Sequence, residues 1–225
     1  MPRPLLAASV ANLRDLGGLP AGQGRVVRPG RLLRSSALVR TSDSALDELT
    51  GLLGPATYVD LRTDREVDRD GGVPRLVARG WRWHRLPLRD DDVPRTAALP
   101  RYAGAAAGVA AALGDGPVVV ACSLGKDRTG MVVALLLYWL GVPTGLVADD
   151  FAASNAHLAT GRHLLPDRWR HTTSAEINPV TAADCAAALA LAPPRPAAVA
   201  AVTPALLAPS PRPVESGARV SPGWS

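Results

Sequence analysis

The sequence predicts an α/β fold in which helices flank a central, mostly parallel β-sheet. Short apolar segments typical of buried strands alternate along the chain with segments that have helical spacing. The most apolar strand segment, 117–121, leads through a short polar loop into an apolar helical segment, 129–140. Because ligands bind beyond the carboxyl ends of parallel strands, we expect a site at that loop.

The N-terminal quarter of the chain predicts turns, two strands and one helix. Residues 12–18 form a segment that closes in a glycine turn. Two short strands are expected at 25–28 and 31–34, on either side of the turn at Pro29-Gly30. A helix is predicted next. Thr41 to Asp43 offer N-caps, Leu46, Leu49 and Leu53 follow at helical spacing, and Gly54-Pro55 ends the helix.

The middle of the chain alternates strands with helices. An apolar run at 56–61 predicts a buried parallel strand that ends in Asp60-Leu61-Arg62, followed by a charged loop or helical turn at 63–70. A further strand at 81–88 leads into the acidic loop 89–92. The remaining helices are predicted from apolar or alanine-rich segments, at about 96–113, 129–140 and 146–158.

At 225 residues the chain fits one domain with an appended tail. We expect the domain to occupy residues 1–192. Residues 193–225 are rich in alanine and proline and carry few charges, which predicts a disordered or loosely docked tail.

Charge and cysteine content narrow the function classes. The net charge of +5 and the pI near 10 indicate either a surface that attracts anionic ligands or a merely arginine-rich composition. Basic runs interleaved with aromatic residues are missing from the sequence, so nucleic-acid binding is not predicted. Two cysteines, Cys122 and Cys185, and scattered histidines give neither a disulfide framework nor metal-ligand spacing, so no metal or other cofactor is predicted.

The same counts bear on location. Two unpaired cysteines suit a reducing compartment, and residues 1–10 lack the pattern of a secretory signal. The longest apolar segment, 131–142, is too short to cross a bilayer. These observations predict a cytoplasmic protein without a membrane span, and they leave its oligomeric state open.

The loop after the strand 117–121 carries the chemistry. Cys122 and Arg128 stand at its two ends, and the loop opens a helix. The backbone N–H groups of 123–128 and the helix dipole can stabilise a thiolate and bind a phosphoryl group. The guanidinium of Arg128 can hold two phosphoryl oxygens and follow them into the transition state. The loop therefore predicts a nucleophile set in a phosphate site.

Other loop residues fit the same prediction. Ser123, Leu124 and Gly125 supply backbone groups, and Gly125 permits a tight turn. Lys126 is the only lysine among the 25 lysine and arginine residues. Thr129 can donate a hydrogen bond to the thiolate. A buried, inert cysteine is the alternative, and the complete strand-Cys-loop-Arg-Thr-Gly-helix pattern argues against it. A Walker-type loop is excluded because Asp127, rather than Ser or Thr, follows the lysine.

The loop resembles the Cys-x-x-x-x-x-Arg signature of cysteine-dependent protein tyrosine phosphatases. Its Gly-Lys-Asp-Arg-Thr-Gly stretch is similar to that of the bacterial tyrosine/dual-specificity family, which includes mycobacterial and listerial lipid-and-protein phosphatases. The resemblance covers roughly residues 10–160 and implies a tyrosine-phosphatase-like fold with the catalytic loop between the central strand and a helix. Three further segments resemble that family: 12–18, 31–38 together with 58–62, and 150–155.

The resemblance implies a mechanism and a substrate class. Cys122 would attack phosphorus to give a cysteinyl-phosphate, which water hydrolyses without a metal. Lys126 beside Asp127 resembles loops that accept phosphoinositides and phosphorylated tyrosine, serine or threonine. The implied substrate is a phosphoprotein, a phosphoinositide or a small phosphoester. A small-metabolite phosphatase and a binding module with little turnover are the alternatives.

The general acid has three candidates. Asp127 is favoured by the family motif, Asp60 ranks second, and Asp92 in the run Asp90 to Asp92 ranks third, since such a run is commonly a solvated loop. Asp60 could instead orient Lys126 or Arg128. Two arginines, Arg14 and Arg62, either reach the substrate or pair with Asp15 and Asp60, and we favour pairing.

Two positions depart from the family pattern. Ala121 stands where the family has a histidine that helps to hold the loop, so the loop is expected to be looser or the thiolate less stabilised. Leu124 replaces a small alanine and is expected to narrow the pocket or alter its lip. These departures motivate the alternative of a binding module.

Overall fold

The computed structural model describes residues 9–89, 98–165, 169 and 180–210, and eight strands occur in them. The strands are β1 (Arg14–Asp15), β2 (Pro20–Ala21), β3 (Arg25–Val27), β4 (Leu32–Ser35), β5 (Thr57–Asp60), β6 (Arg82–Arg85), β7 (Val118–Ala121) and β8 (Leu207–Pro209). Five of them form a sheet in the order β1-β4-β7-β5-β6. β1 is antiparallel to β4, and the other neighbours are parallel. The predicted, mostly parallel central sheet is confirmed.

Helices follow most of the central strands. They are α1 (Asp43–Leu53), α2 (Asp64–Asp70), α3 (Pro74–Val77), α4 (Leu99–Leu113), α5 (Asp127–Trp139), α6 (Thr144–Thr160), α7 (Ala182–Leu189) and α8 (Ala197–Leu206). α1 begins at the predicted cap, where the Ser42 hydroxyl accepts from the N–H of Ala45. The charged segment 63–70 is helical because Thr63 and Glu66 form a capping box around the first turn of α2.

Both faces of the central strand are covered, so β7 lies in the middle of the core. Successive side chains of a strand point to opposite faces. Val118 and Val120 belong to the large apolar cluster that includes side chains of α4 to α8. Val119 and Ala121 belong to a second cluster with side chains of α1 and α3. This double burial explains why the strand is a continuous apolar run.

The two strands predicted on either side of Pro29-Gly30 are present as β3 and β4, but they belong to different sheets. β3 lies in a separate three-stranded antiparallel sheet, in the order β2-β3-β8, whereas β4 lies in the central sheet between β1 and β7. The chain therefore changes sheets at this turn. The partner β8 lies far along the chain, where no local pattern points to it.

Part of the segment that was expected to be a disordered or loosely docked tail, from residue 193 onward, is folded and packed in the structure. α8 and β8 lie inside it, and α8 buries Val199, Val202 and Leu206 in the large cluster. The high alanine content of the segment makes this short row of apolar residues difficult to recognise in the sequence. Residues 211–225 lie outside the described residues. In the part of the chain that the structure describes, no helix is both long and apolar enough to cross a membrane.

Candidate active site

The loop that contains Cys122 lies at the carboxyl edge of the central sheet. Cys122 follows the last residue of β7, and α5 begins at Asp127. Ser35 at the end of β4 and Asp60 at the end of β5 stand in register with Ala121 on either side. The Cys122 side chain is 3% exposed. The placement predicted from the sequence, between a central strand and a helix, is what the structure has.

Gly125 lets the loop pack directly against the backbone that follows β4. Its φ angle is 68°, which lies in the left-handed region that favours glycine. A Cβ atom at this position would stand 2.1 Å from the carbonyl oxygen of Ser35 and 2.7 Å from the N–H nitrogen of Ser36. Any side chain here would push the loop away from β4. Gly125 is therefore required for the shape of the loop.

Arg128 lies in the first turn of α5 and is bound by a carboxylate that the sequence analysis did not identify. Its Nη1 atom lies 2.6 Å from Oε2 of Glu66, and its Nη2 atom lies 2.8 Å from Oε1. The hydroxyl of Ser123 donates to the same Oε1 at 2.6 Å. Nη1 also donates to the carbonyl of Leu88 at 3.1 Å. Glu66 thus connects both ends of the loop.

The carboxyl group of Glu66 is ionised at neutral pH. Burial alone would raise its pKa, but hydrogen bonds from Arg128 and Ser123 and the charge of Arg128 hold that pKa well below its usual range. An ionised carboxylate cannot give a proton to a leaving group. Glu66 therefore orients the guanidinium and is not a candidate general acid.

The contact between Glu66 and Arg128 could not be inferred from the sequence, because a local role already accounts for Glu66. Thr63 and Glu66 have the spacing of a capping box, and Oε2 of Glu66 does accept from the backbone N–H of Thr63 at 2.9 Å. The same oxygen also meets Arg128, 62 positions further along the chain. Only the parallel arrangement of β5 and β7 brings the start of α2 to the loop.

Three loop residues predicted to act in the site lie together where α5 begins. The ammonium of Lys126 lies 3.7 Å from Oδ1 of Asp127, and the side chains are 3% and 31% exposed, respectively. Asp127 is therefore the loop carboxylate that solvent reaches. The hydroxyl oxygen of Thr129 is buried, and it has no hydrogen-bond partner among the described residues.

Asp60 and Arg62 are engaged with each other beside the loop. Asp60 is fully buried, and its Oδ1 accepts from the backbone N–H and Nε of Arg62 at 3.1 and 2.9 Å. Its Oδ2 accepts from Nη2 of Arg62 at 2.7 Å and from the indole of Trp83 at 3.2 Å. Arg62 is also fully buried and donates to the carbonyl of Gly71. The favoured pairing of these two residues is present.

The two irregular positions of the loop are both packed in apolar surroundings. Leu124 is 7% exposed and lies in a small apolar cluster with Ala11, Leu158 and Leu165. Ala121 is fully buried in the cluster that also holds Tyr58. The side chain of Leu124 therefore ties the loop to the C-terminal end of α6.

The remaining candidates from the sequence are Arg14 and the acidic run Asp90 to Asp92. Arg14 pairs with Asp150 rather than with Asp15, because β1 directs it towards α6. Asp15 instead accepts from the backbone N–H groups of Gly17 and Gly30. Asp90, Asp91 and Asp92 lie outside the described residues. Among the residues that are described, no cluster of three or more His, Cys, Asp or Glu side chains could hold a metal ion.

Comparison with known proteins agrees with the geometry. The family described as "Tyrosine phosphatase family" matches residues 5–208. A protein of Cupriavidus necator is 31% identical over 173 residues, and the match spans 65% of this chain and 61% of that protein. The triple specificity protein phosphatase PtpB of Mycobacterium tuberculosis is 28% identical over 214 residues, which are 75% of each chain.

Solved structures include similar chains as well. The crystal structure of TpbA from P. aeruginosa is 21% identical, covers 74% of this chain and 91% of its own, and gives a TM-score of 0.42.

Proposed function

Since the chain belongs to the tyrosine phosphatase family, we propose that it hydrolyses phosphate monoesters through a cysteinyl-phosphate formed on Cys122. One observation carries the proposal. Cys122 and Arg128 bracket a loop at the carboxyl end of the central strand, and Glu66 holds the Arg128 guanidinium at that loop. A nucleophile, a cation and converging backbone N–H groups at one edge are what phosphoryl transfer needs.

The first step transfers the phosphoryl group to the enzyme. The Cys122 sulfur attacks phosphorus, an S–P bond forms and the P–O bond to the leaving group breaks. Asp127 gives its proton to the departing oxygen, a role supported by its partial exposure at the start of α5. Arg128 and the loop N–H groups stabilise the phosphoryl oxygens in the transition state.

The second step regenerates the enzyme. The Asp127 carboxylate takes a proton from a water molecule that attacks phosphorus, and the S–P bond breaks to release inorganic phosphate and the thiolate. The buried hydroxyl of Thr129, which has no hydrogen-bond partner among the described residues, donates to the departing sulfur. Each residue thus returns to its starting protonation state.

The other candidate residues support this chemistry indirectly. Asp60 is enclosed with both oxygens bonded, so its proposed role is to fix Arg62 and the end of β5 rather than to transfer a proton. Lys126, nearly buried beside Asp127, adds positive charge at the loop. Ser123, Leu124 and Gly125 contribute backbone groups to the phosphate cradle.

The proposed substrates are phosphorylated proteins, with phosphoinositides and small phosphoesters as further members of the class. Sequence similarity to a triple specificity protein phosphatase supports a broad range. We place the enzyme in the cytoplasm, where the free cysteines Cys122 and Cys185 would stay reduced. Measuring the redox state of Cys122 in the cells of origin would test that location.

The decisive experiment compares wild type, Cys122→Ser and Asp127→Asn on aryl phosphates with good and poor leaving groups. We expect vanadate-sensitive, chelator-insensitive turnover in wild type and none in Cys122→Ser. Asp127→Asn should lose ~10²-fold or more in kcat with the poor leaving group and much less with the good one, because a good leaving group needs no proton. Asp115→Asn, an exposed surface change, is the matched control. Phosphate binding without turnover in wild type would refute the proposal.

A further inference from the structure

We propose that Arg34, anchored by Asp150, is a positioning residue for the reaction. It binds the loop carbonyls from outside and thereby turns the loop N–H groups towards the phosphate. This inference rests on the proposed function, since it names how that same site is held in shape. Arg34 lies in the segment 31–38 that resembles the phosphatase family, but the sequence alone assigned it no role.

Arg34 contacts the loop directly. It lies on β4 beside β7 and is fully buried. Its Nη2 atom donates to the carbonyl oxygen of Gly125 at 2.7 Å and lies 3.2 Å from that of Lys126. In a trans peptide the C=O and the following N–H point in opposite directions. The N–H groups of Lys126 and Asp127 are therefore directed away from Arg34.

The preceding loop carbonyls are bound in the same way. The side-chain amide of Asn12 donates to the carbonyl of Leu124 at 3.0 Å. The backbone N–H of Ala37 donates to the carbonyl of Ser123 at 3.2 Å. Four consecutive carbonyls, from Ser123 to Lys126, thus bond to groups outside the loop. Their partner N–H groups form the anion-binding cradle.

Asp150 on α6 holds Arg34 in this position. Its Oδ2 lies 2.5 Å from Nη1 of Arg34, and its Oδ1 lies 2.6 Å from Nε of Arg14. The hydroxyl of Ser154, one turn later, accepts from both guanidinium groups at 3.0 Å. Two cations share one carboxylate, so a net positive charge is buried directly behind the phosphate cradle.

The charge state of this cluster fits the proposed role. Burial alone would raise the pKa of Asp150, but the charges of Arg34 and Arg14 lower it below its ordinary value, so the anchor stays ionised. Only a guanidinium can reach Asp150 with one nitrogen while the other serves two carbonyls. A lysine ammonium is a single point charge and cannot span both.

The test compares Arg34→Lys with Arg31→Lys. Arg31 lies just before β4 and also donates to a backbone carbonyl, that of Leu113, away from the loop. Calorimetry would measure binding of inorganic phosphate and of vanadate, which mimics the transition state, and kinetics would give kcat and KM. We expect Arg34→Lys to lose ~10-fold or more in kcat and to weaken vanadate binding more than phosphate binding, with Arg31→Lys unchanged.

A second variant keeps the proposal testable if Arg34→Lys does not fold. Asn12 has a φ of 57°, so Asn12→Gly does not strain the backbone, and it removes two side-chain bonds: the one donated to the Leu124 carbonyl and the one accepted from Arg14, which shares Asp150 with Arg34. Gln23→Gly, at an exposed position with a φ of 65°, is its control. Asn12→Gly should lower the ratio of vanadate affinity to phosphate affinity, and Gln23→Gly should not.

Two results would overturn the role of Arg34. The first is that folded Arg34→Lys keeps the kcat and the vanadate-to-phosphate affinity ratio of wild type; if Arg34→Lys does not fold, the same result in Asn12→Gly counts instead. The second is that Arg31→Lys loses as much kcat and vanadate affinity as Arg34→Lys does. Wild type that binds both anions without turnover would refute the proposed phosphatase activity alone, because the affinity ratio can still be measured.

Discussion

Replacing Glu66 by glutamine tests whether the carboxylate that binds Arg128 supports the reaction. The change keeps the size and one acceptor oxygen but removes the charge that faces Arg128, which is 1% exposed. Unit charges about 4 Å apart attract by about 4 kcal/mol at an effective dielectric constant of 20. The retained hydrogen bond and the 12% exposure of Glu66 reduce the loss, so we expect the free energy of unfolding to decrease by about 2 kcal/mol.

That loss corresponds to a fall in Tm of roughly 4–8 °C for a chain of this length. The difference should depend on pH, because the pKa of Glu66 is lowered in the folded state. Its contribution is complete above the unfolded pKa of about 4.3 and is lost as pH falls towards the folded pKa. Thermal unfolding of wild type and Glu66→Gln should therefore converge in acid.

The catalytic effect should be comparable in free energy to the effect on stability, because each tenfold change in rate corresponds to about 1.4 kcal/mol. A guanidinium that is no longer held at the loop stabilises the transition state less, so kcat/KM should fall about 10–100-fold on an aryl phosphate. Asp68→Asn, an exposed change in the same helix α2, controls for the lost charge. Faster turnover and tighter vanadate binding in Glu66→Gln would refute the reasoning, because the carboxylate would then be competing with the phosphoryl oxygens.

Three further predictions concern the loop, α6 and α8. Gly125→Ala should lower kcat/KM by ~10²-fold or more, since the added Cβ meets the Ser35 carbonyl, whereas Gly145→Ala, with open space around it, should keep full activity. Burial and the charge of Arg14 lower the pKa of His157 in the folded state, so the unfolded state binds more protons below about pH 6.5 and the protein should become less stable as the pH decreases. Unfolding measured at pH 7 and at about pH 5.5 should show this loss of stability in wild type and a smaller loss in His157→Gln. An equal loss in both proteins would contradict the prediction. Leu206→Ala should cost about 3 kcal/mol in denaturant unfolding because this side chain is fully buried, and an unchanged midpoint would show that α8 is not packed.

The central architecture could be predicted because local patterns and burial agree there. The strand 118–121 is buried on both faces, so its apolar run and the glycine-containing loop after it are unambiguous. The α5 helix begins two residues earlier than predicted, at Asp127. Family membership, predicted from the motifs, is confirmed.

The partners of several polar residues could not be predicted because they are set by the topology. Glu66 has a complete local explanation as a capping residue, so nothing in the sequence connects it to Arg128. Arg14 stands next to Asp15, yet its carboxylate partner is Asp150, 136 positions away. Local spacing identifies the loop that carries the chemistry, and only the packed sheet identifies the groups that hold it.

Trapping the phosphorylated enzyme tests the central claim most directly. Wild type mixed with an aryl phosphate and quenched in acid within a turnover should yield a peptide that carries one phosphoryl group on Cys122, detected by mass spectrometry. Asp127→Asn should accumulate the same species for longer, because the attacking water loses its base. Phosphate release with no phosphoryl group on Cys122 in either protein would contradict the account.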